Sequence, residues 1–597
     1  MESANPQLEY ERRLQSASTV KSEVDRLEAK VGNGRVAVFF AGLAATYLVF
    51  VVGVLSPLWL VLFVVSFLAL AAWHERVQKA CHLAHQRVRW YQLALERLEG
   101  KWSGTTGEKH VPENHPYAFD LDIFGPGSVF ERMCLVKTGV GEATLARWLL
   151  APAELDVIRQ RQQAVDELRS NVDLREHIAL LSSDRLDGSH VGDLNELVRW
   201  GEAEPMLRPF WLRWPPVLLV AFTFATIVSF LSGELEATPM LVALALQSAY
   251  GYYLKAGVES VVGPVERKAQ QLAVFAGVLQ ILENEPFDAP LLKQLQKDAT
   301  TAGRPASQLI ARLGNLVAWL NATENRYFAT IAPFFLYTTQ LAFLIEGWRR
   351  ICGRGIAGWL DTVGEFEALC ALSAYAYENP SDPFPELCEH GPLFDGVEIG
   401  HPLIPDKKCV RNSLCLGNPT RVFVVSGSNM SGKSTLLRTV GVNTVLALAG
   451  APVKAKSVRL SPLAIGATMR IQDSLQAGQS RFFAEISRIR QIVAMTQGPI
   501  PVLFLLDELL NGTNSHDRKI GAEAIVRTLI EAGAIGLLTT HDLALTHIAD
   551  QLGDQAANVH FEDQFADGSI SFDYVLRPGI VQKSNALALM RAVGLQV

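Results

Sequence analysis

The chain has 597 residues, which is too many for one hydrophobic core, so several domains are expected. Its residues are 49% hydrophobic and its formal net charge is −7, so the charge balance does not support a nucleic-acid-binding protein. The seven cysteines include no Cys-x-x-Cys pair, which argues against a disulfide-stapled secreted domain and indicates reduced thiols.

The N-terminal part of the chain predicts a helix followed by a membrane hairpin. Residues 1–35 are charged, carry apolar residues at helical spacing, and predict a cytoplasmic amphipathic helix. Residues 36–73 contain two apolar stretches with almost no loop between them, and each is about long enough to cross a bilayer. They start too far from the N-terminus, and after acidic residues, to be a signal peptide. The alternative is a pair of buried core helices.

Residues 74–116 predict a charged helix that leaves the membrane, followed by a polar linker. On this helix, Cys81-His82-x-x-His85 offers side chains of the kind that bind metals. The sequence shows no second ligand cluster to go with them, so we do not predict a zinc site there.

The middle of the chain is predicted to be mainly helical in two parts, residues 117–210 and 255–380. Residues 211–254 between them predict a second transmembrane hairpin, although Gln247 and several tyrosines also fit buried core helices. Lys and Arg flank both hairpins and are absent from their short loops, so the positive-inside rule predicts a multi-pass protein of an inner or plasma membrane with cytoplasmic large segments. The apolar stretch 327–345 contains several polar residues and fits a packed helix better than a further span.

Residues 381–597 follow a Pro-rich break and predict a compact α/β domain. Apolar strands alternate with helices there, at Val422–Val425, Val502–Leu506 and Gly536–Thr539. This order is typical of a mostly parallel sheet that binds its ligand at the carboxyl ends of the strands.

The segment Gly427–Ser434 follows the first of these strands and fits the phosphate-binding pattern G-x-x-x-x-G-K-[ST]. Its two glycines let the backbone turn tightly, and the following helix presents its positive end to the same anion. Lys433 is expected to reach the β- and γ-phosphates, and Ser434 is expected to bind Mg²⁺. The predicted nucleotide-binding residues are Gly427, Ser428, Asn429, Met430, Ser431, Gly432, Lys433, Ser434 and Thr435.

Three further segments complete a predicted ATPase site. The second strand ends in Asp507-Glu508, where Asp507 is expected to bind Mg²⁺ and Glu508 to orient or deprotonate the attacking water. The third strand ends in His541, which is placed to sense the γ-phosphate, although a lone histidine is more often structural. Ser480 precedes a helix whose N-terminus can bind an anion, and in ABC-type ATPases such a segment caps the nucleotide of the partner subunit. We therefore predict an ATP- and Mg²⁺-dependent site shared by two protomers, with Lys433, Glu508 and His541 as catalytic residues and Ser480 acting in trans.

These segments resemble those of the MutS mismatch-repair family. The similar segments are Gly400–Ile404, Gly427–Thr435, Asp473–Glu485, Leu506–Asn514, Thr540-His541 and the region after Pro578, and residues 121–168 resemble the core or lever helices of the family. The resemblance implies an all-α core/lever domain and a C-terminal α/β P-loop NTPase domain of ABC type. With the transmembrane helices that the apolar segments predict, we expect a multidomain protein. It also implies a homodimer in which ATP drives lever movements, and a role related to DNA binding or mismatch repair.

The chain departs from the family at its N-terminus, where membrane segments replace the mismatch-reading and connector domains. The wedge pattern F-x-E occurs at Phe384-Pro-Glu386 and Phe483-Ala-Glu485, and neither place suits entry into a minor groove. Less usual residues stand at Ser428, Ser431, Arg481 and Asn514. Two alternatives therefore stay open: an ATP-gated membrane scaffold or switch without DNA binding, and an ABC-type transporter. The second is weaker because no charge within the predicted spans marks a substrate path.

Overall fold

The structure is a computed structural model. It describes residues 5–102, 104–136, 138–183, 195–207, 213–266, 269–301, 303–322, 326–428, 430–470, 481–511, 513–566 and 569–581.

The described residues are rich in helix. The α-helices are α1 (Pro6–Tyr47), α2 (Leu58–Leu98), α3 (Val129–Met133), α4 (Gly139–Leu150), α5 (Leu155–Arg169), α6 (Val172–Ser183), α7 (Asn195–Glu202), α8 (Trp214–Leu231), α9 (Ala237–Glu266), α10 (Ala269–Asn284), α11 (Pro290–Asp298), α12 (Ala306–Asn321), α13 (Arg326–Ile331), α14 (Tyr337–Cys352), α15 (Ile356–Glu378), α16 (Lys433–Ala449), α17 (Arg481–Met495), α18 (Ser515–Glu531) and α19 (His547–Leu552). One π-helical turn, Leu48–Val52, follows α1, and short 3₁₀ turns lie at Glu108–His110, Ala332–Phe335, Gly353–Gly355, Asp406–Lys408, Leu543–Thr546 and Gly553–Gln555.

The strands lie almost entirely in the C-terminal part of the described chain. They are β1 (Thr300–Thr301), β2 (Arg304–Pro305), β3 (Glu386–Leu387), β4 (Phe394–Ile399), β5 (Asn412–Leu416), β6 (Val422–Ser426), β7 (Ser457–Leu460), β8 (Ala464–Thr468), β9 (Val502–Leu506), β10 (Ile535–Thr540), β11 (Ala556–Ala566) and β12 (Ser569–Pro578). The main sheet has the order β12-β11-β6-β10-β9-β8, and the described residues form a smaller sheet in the order β3-β7-β4-β5. The predicted C-terminal α/β domain is therefore present.

Helices α1 and α2 are each continuous across two segments that the sequence analysis separated. Helix α1 begins in charged sequence and continues without a break into the first apolar stretch of residues 36–73. Helix α2 contains the second apolar stretch and continues without a break into the charged sequence that follows it. The turn between them begins after Gly53, which has φ 71° and lies in the left-handed region that glycine accepts most easily. The two helices are packed against each other, so the predicted membrane hairpin and its flanking charged helices form one antiparallel helix pair.

Three helices in the described residues are long and apolar enough to cross a membrane. They lie at Pro6–Val52, Leu58–Leu98 and Trp214–Leu231, and their most apolar windows have mean hydropathies of 2.1, 1.8 and 1.9. A bent pair, Phe328–Phe335 and Tyr337–Glu378, meets at 67° and would make a fourth if it were one span. Helix α9, over which the sequence predicts a span, does not appear among them.

The break in that bent pair explains why Gln247 is buried in an apolar helix. Leu336 lies at the break with φ 46°, a left-handed conformation that interrupts the helix there. The Gln247 amide donates to the carbonyl oxygens of Pro333 and Phe334, at 3.2 and 2.8 Å. A buried polar side chain in α9 thus satisfies the backbone of its neighbour, as a buried donor must.

The chain divides into two compact units. One consists of Met1–Leu135, Ala143–Val172 and Ala368–Val597, and the other of Val136–Glu142 and Asp173–Glu367. The first unit therefore contains both the α1–α2 pair and the C-terminal sheets. The seven contiguous segments drawn from the sequence, at 1–35, 36–73, 74–116, 117–210, 211–254, 255–380 and 381–597, stay predictions.

Candidate nucleotide site at the strand ends of the main sheet

The main sheet brings the three predicted site segments to one edge. Strand β10 is parallel to β6, with Thr540 opposite Ser426, and parallel to β9, with Leu538 opposite Leu506. Because these strands run in the same direction, the residues that follow them emerge at the same edge of the sheet. The glycine-rich loop, Asp507-Glu508 and His541 therefore face one region although they are far apart in the chain.

The glycine-rich loop has the backbone that its sequence predicts. Gly427 and Gly432 have φ values of 154° and 104°, and a side chain on Gly427 would place its Cβ 2.8 Å from the Ser431 hydroxyl. Met430 also has a positive φ, 70°, and its side chain is 84% exposed. Helix α16 begins at Lys433, directly after Gly432, so its N-terminal N–H groups point into the loop. Asn429 lies outside the described residues.

Lys433 is buried and holds the loop from inside. Its ammonium group donates to the carbonyl oxygens of Gly427 and Ser428, at 2.9 and 2.7 Å. Burial lowers the pKa of Lys433, and the negative charges of Glu508 and Asp507 act in the opposite direction. The lysine therefore lies within the electrostatic reach of both acids, at the centre of the loop.

Asp507 and Glu508 are held by Thr539, a residue that the sequence analysis did not single out. The Thr539 hydroxyl donates to the Asp507 carboxylate, and the Glu508 backbone N–H donates to the same hydroxyl oxygen at 3.0 Å. The Asp507 backbone N–H donates to the Thr468 carbonyl at 3.1 Å, at the end of the next strand. The sequence feature that could have indicated this role is the position of Thr539, which lies at the same strand end as His541.

The Glu508 carboxylate is held from both sides. One oxygen lies 3.1 Å from Nδ1 of His541, and the Asn511 amide donates to the other at 3.1 Å. Glu508 has φ 48°, a conformation that a non-glycine residue adopts only when its surroundings hold it there. The histidine thus contacts the acid directly, and Asn511 is a second contact that the sequence analysis missed.

A cavity of about 400 Å³ opens beside the loop. Its polar side is formed by Lys433, Ser434, Thr435 and Glu508, and its apolar side by Ile399, Ile404, Val410 and Phe561. Tyr574 covers Gly432, whose added Cβ would lie 3.1 Å from the tyrosine ring. The combination of an apolar wall and phosphate-binding groups suits a nucleoside phosphate.

The side chains present fit a nucleotide with Mg²⁺. The hydroxyl oxygens of Ser428 and Ser431 are buried and have no hydrogen-bond partner in the described part of the chain. Phosphate oxygens would supply those partners, because a buried hydroxyl is otherwise costly. Ser434 and Asp507 offer the hard oxygen ligands that Mg²⁺ prefers. Ser480 lies outside the described residues, and so does the side chain of Arg481.

Comparison with known proteins agrees with this geometry. The profile of MutS domain V matches residues 423–596. The chain is 34% identical over 244 residues to the endonuclease MutS2 of Thermus thermophilus, a match that covers 40% of this chain and 31% of that protein. It is 31% identical over 240 residues to the mismatch repair protein MutS of Natronomonas pharaonis, covering 39% and 27%. With the mismatch repair protein MSH6 of Arabidopsis thaliana it shares 31% over 238 residues, covering 36% and 17%.

The match therefore spans less than a third of these relatives' own length. It is carried by the domain that contains the glycine-rich loop, Asp507-Glu508 and His541. Residues 423–596 of the chain are therefore a MutS domain V, the part that it shares with proteins of the MutS family.

Proposed function

We propose that this protein is an ATP hydrolase that is anchored in a membrane and works as a homodimer. The observation that carries the catalytic part is the convergence of Lys433, Asp507, Glu508 and His541 at one edge of the main sheet. Asp507 and Ser434 would hold Mg²⁺, which would neutralise charge on the phosphate oxygens of ATP.

Each side chain has a role that follows from its contacts. Lys433 exchanges the carbonyl oxygens of Gly427 and Ser428 for phosphate oxygens, which are stronger partners for an ammonium group. Glu508 orients the attacking water, and its contacts with His541 and Asn511 keep its carboxylate in one position. Thr539 keeps Asp507 and the Glu508 backbone in register with each other.

A second subunit is supported by the exposure of the site. The Glu508 and His541 side chains are 27% and 41% exposed, and Met430 at the loop tip is exposed as well. A hydrolytic site needs protection from bulk water, so a partner surface would complete it. The family resemblance assigns this contribution to Ser480 of the second protomer.

Membrane anchoring is supported by the exposed apolar surface of the α1–α2 pair. In the most apolar windows of both helices only 6% of the residues are buried. Phe50, Val54 and Leu58, near the turn, are more than 70% exposed. A contiguous apolar surface of this kind is not left in water, and hydrocarbon is the medium that suits it.

The experiment below decides whether the lever movements act on DNA. Two contacts favour the alternative, a scaffold or switch without DNA binding. Glu485 of one F-x-E segment is buried and accepts a hydrogen bond from the Leu510 backbone at 2.6 Å. Glu386 of the other lies in β3 and is 3.4 Å from Arg459. Both glutamates are thus engaged within the domain. Relatives with different named activities match similar shares of this chain, so the match does not choose among those activities.

The catalytic proposal is tested with detergent-purified full-length protein. We expect Lys433→Ala to abolish ATP hydrolysis, and Glu508→Gln to bind ATP, turn over at least a hundredfold more slowly and accumulate a dimer in light scattering. Glu531→Gln, an exposed residue at the end of α18, is the matched control and should keep full activity. Unchanged turnover in both site variants would refute the assignment.

The DNA question is tested by binding of homoduplex, mismatched and branched DNA at increasing salt, with and without ATP. Direct contact with phosphates must weaken steeply with salt. Absence of binding at low salt in both nucleotide states would leave the scaffold or switch. Flotation with liposomes after alkaline washing tests the membrane anchor, and a protein released by that wash would refute it.

A further inference from the structure

Four side chains with metal-binding groups meet between α1 and α2, outside the apolar windows. Asp25 and Glu28 lie three residues apart on α1, and Cys81 and His85 lie four residues apart on α2. Both spacings place the two side chains on one face of their helix. The antiparallel packing of the helices then brings the two faces together, which the sequence of α2 alone could not show.

The ligand atoms of Asp25, Cys81 and His85 all lie within 4.8 Å of one another, as ligands around one ion do. The Cys81 sulfur lies 3.5 Å from Nδ1 of His85 and 3.6 Å from a carboxylate oxygen of Glu28. Nδ1 of His85 lies 3.7 Å from a carboxylate oxygen of Asp25. Tetrahedral zinc with ordinary bond lengths separates its nitrogen, oxygen and sulfur ligands by about 3.4–3.6 Å.

Two contacts change when a metal is bound. The Cys81 thiol now donates to Asp25 at 2.9 Å, and a thiolate would replace this hydrogen bond with a bond to the ion. Nδ1 of His85 also lies 2.9 Å from the Cys81 carbonyl oxygen within α2, and the ring gives up this contact when Nδ1 binds the metal. Both changes are side-chain movements and leave the helices in place.

The charges of the cluster also call for a cation. Among the described residues, no lysine or arginine lies within ion-pair distance of Asp25 or Glu28, and the nearby Lys79 is paired with Glu75 at 2.8 Å. Two carboxylates and a thiol therefore share one space with a single imidazole. Cys81 is half-buried, while Asp25 and His85 are 40% and 46% exposed, so an ion can enter from solvent.

We propose that Asp25, Cys81 and His85, with Glu28 beside Cys81, bind one zinc-class divalent cation that links α1 to α2. A set with one thiolate and one imidazole prefers zinc and similar ions over Mg²⁺ or Ca²⁺, which take oxygen ligands. The site lies between the apolar windows and the aromatic cluster of Tyr10 and Tyr91 at the other end of the pair. It would hold the two helices in one register at the middle of their charged part. This inference does not depend on ATP hydrolysis or on the membrane anchor.

The first test uses the unmodified full-length protein. After removal of metal, each cysteine is alkylated with and without Zn²⁺, and modification is measured by mass spectrometry at Cys81 and at Cys415. Cys415 is an exposed thiol on β5 and serves as the internal control. We expect Zn²⁺ to slow alkylation of Cys81 at least tenfold and to leave Cys415 unchanged. Equal rates at Cys81 with and without Zn²⁺ would overturn the proposal.

The second test measures the ligand set. With Co²⁺ as the probe, the wild-type protein should bind one ion per chain with a thiolate-to-cobalt charge-transfer band in the near ultraviolet. Cys81→Ser and Asp25→Asn should weaken binding at least tenfold, whereas His82→Ala, an exposed neighbour on α2, should bind as the wild type does. Circular dichroism confirms that each variant keeps its helices. Binding without the band, or equal losses in Cys81→Ser and His82→Ala, would contradict the assigned ligands.

Discussion

The ion pair between Arg97 and Glu378 ties the end of α2 to the end of α15, and its removal has a calculable effect. Nη2 of Arg97 lies 2.8 Å from a Glu378 oxygen, and Nε lies 3.2 Å from the same oxygen. The two side chains are only 8% and 5% exposed. The Tyr10 hydroxyl of α1 lies 3.5 Å from that oxygen, so both helices of the pair meet at this point.

Glu378→Ala leaves the guanidinium buried without a counter-charge, and a guanidinium cannot be neutralised by losing its proton. At 2.8 Å and an effective dielectric constant of about 20, the lost attraction is on the order of 6 kcal/mol. Measured losses for broken buried pairs are about 3–5 kcal/mol. The double variant Arg97→Met/Glu378→Leu removes both charges and fills the space, so we expect it to recover most of this loss.

The assay is amide hydrogen exchange, because a chain with two compact units does not unfold in one step. Slowly exchanging amides at the end of α2 should exchange about 10²–10³·⁵-fold faster in Glu378→Ala, since 1.4 kcal/mol corresponds to a factor of ten. Exchange within threefold of the wild type would refute the reasoning. If these amides exchange as fast in the double variant as in Glu378→Ala, the unpaired charge of Arg97 is not the cause of the lost stability.

Two further predictions concern the C-terminal domain. Thr539→Val should lower ATP turnover about 10–100-fold with the fold intact, because Asp507 loses its orienting hydroxyl. The control is Thr540→Val, which removes a hydroxyl that contacts Asp542 and should keep turnover within threefold of the wild type. Equal effects of the two substitutions would contradict the role of Thr539. Burial raises the pKa of Asp382 to about 7, so the folded state keeps a proton that the unfolded chain loses near pH 4, and stability falls as the pH rises between these values. Asp382→Asn should remove this pH dependence and stabilise the protein at pH 8 by up to about 4 kcal/mol. The measurement is thermal unfolding of the wild type and the variant at pH 5 and pH 8. Equal changes in the unfolding temperature of the two proteins between these pH values would disprove the prediction.

The parts of the site that the sequence predicted are those set by short-range chemistry. A phosphate-binding loop needs two glycines, a lysine and a hydroxyl at fixed spacing, and Gly427, Gly432 and Lys433 adopt the expected arrangement. A strand of five buried apolar residues followed by Asp507-Glu508 can end only at the sheet edge. These constraints act within about ten residues, and the same short segments carry the resemblance to the MutS family.

The parts that the sequence did not show depend on contacts between distant segments. Thr539 acts through Asp507, 32 residues away, and Tyr574 reaches Gly432 because β12 folds back along β11. The membrane assignments and the shared dimer site stay predictions of the sequence.

The glycine-rich loop, the acidic strand end and the resemblance to the MutS family could be read from the sequence, because each depends on consecutive or nearly consecutive residues. The contacts between side chains of distant segments became visible in the tertiary structure. It placed Gln247 against the broken helix at Leu336, Arg97 against Glu378, and Asp25 against Cys81. Asp25 and Cys81 meet because the two long helices α1 and α2 pack in one register, and that register follows from their whole contact surface and from no short motif.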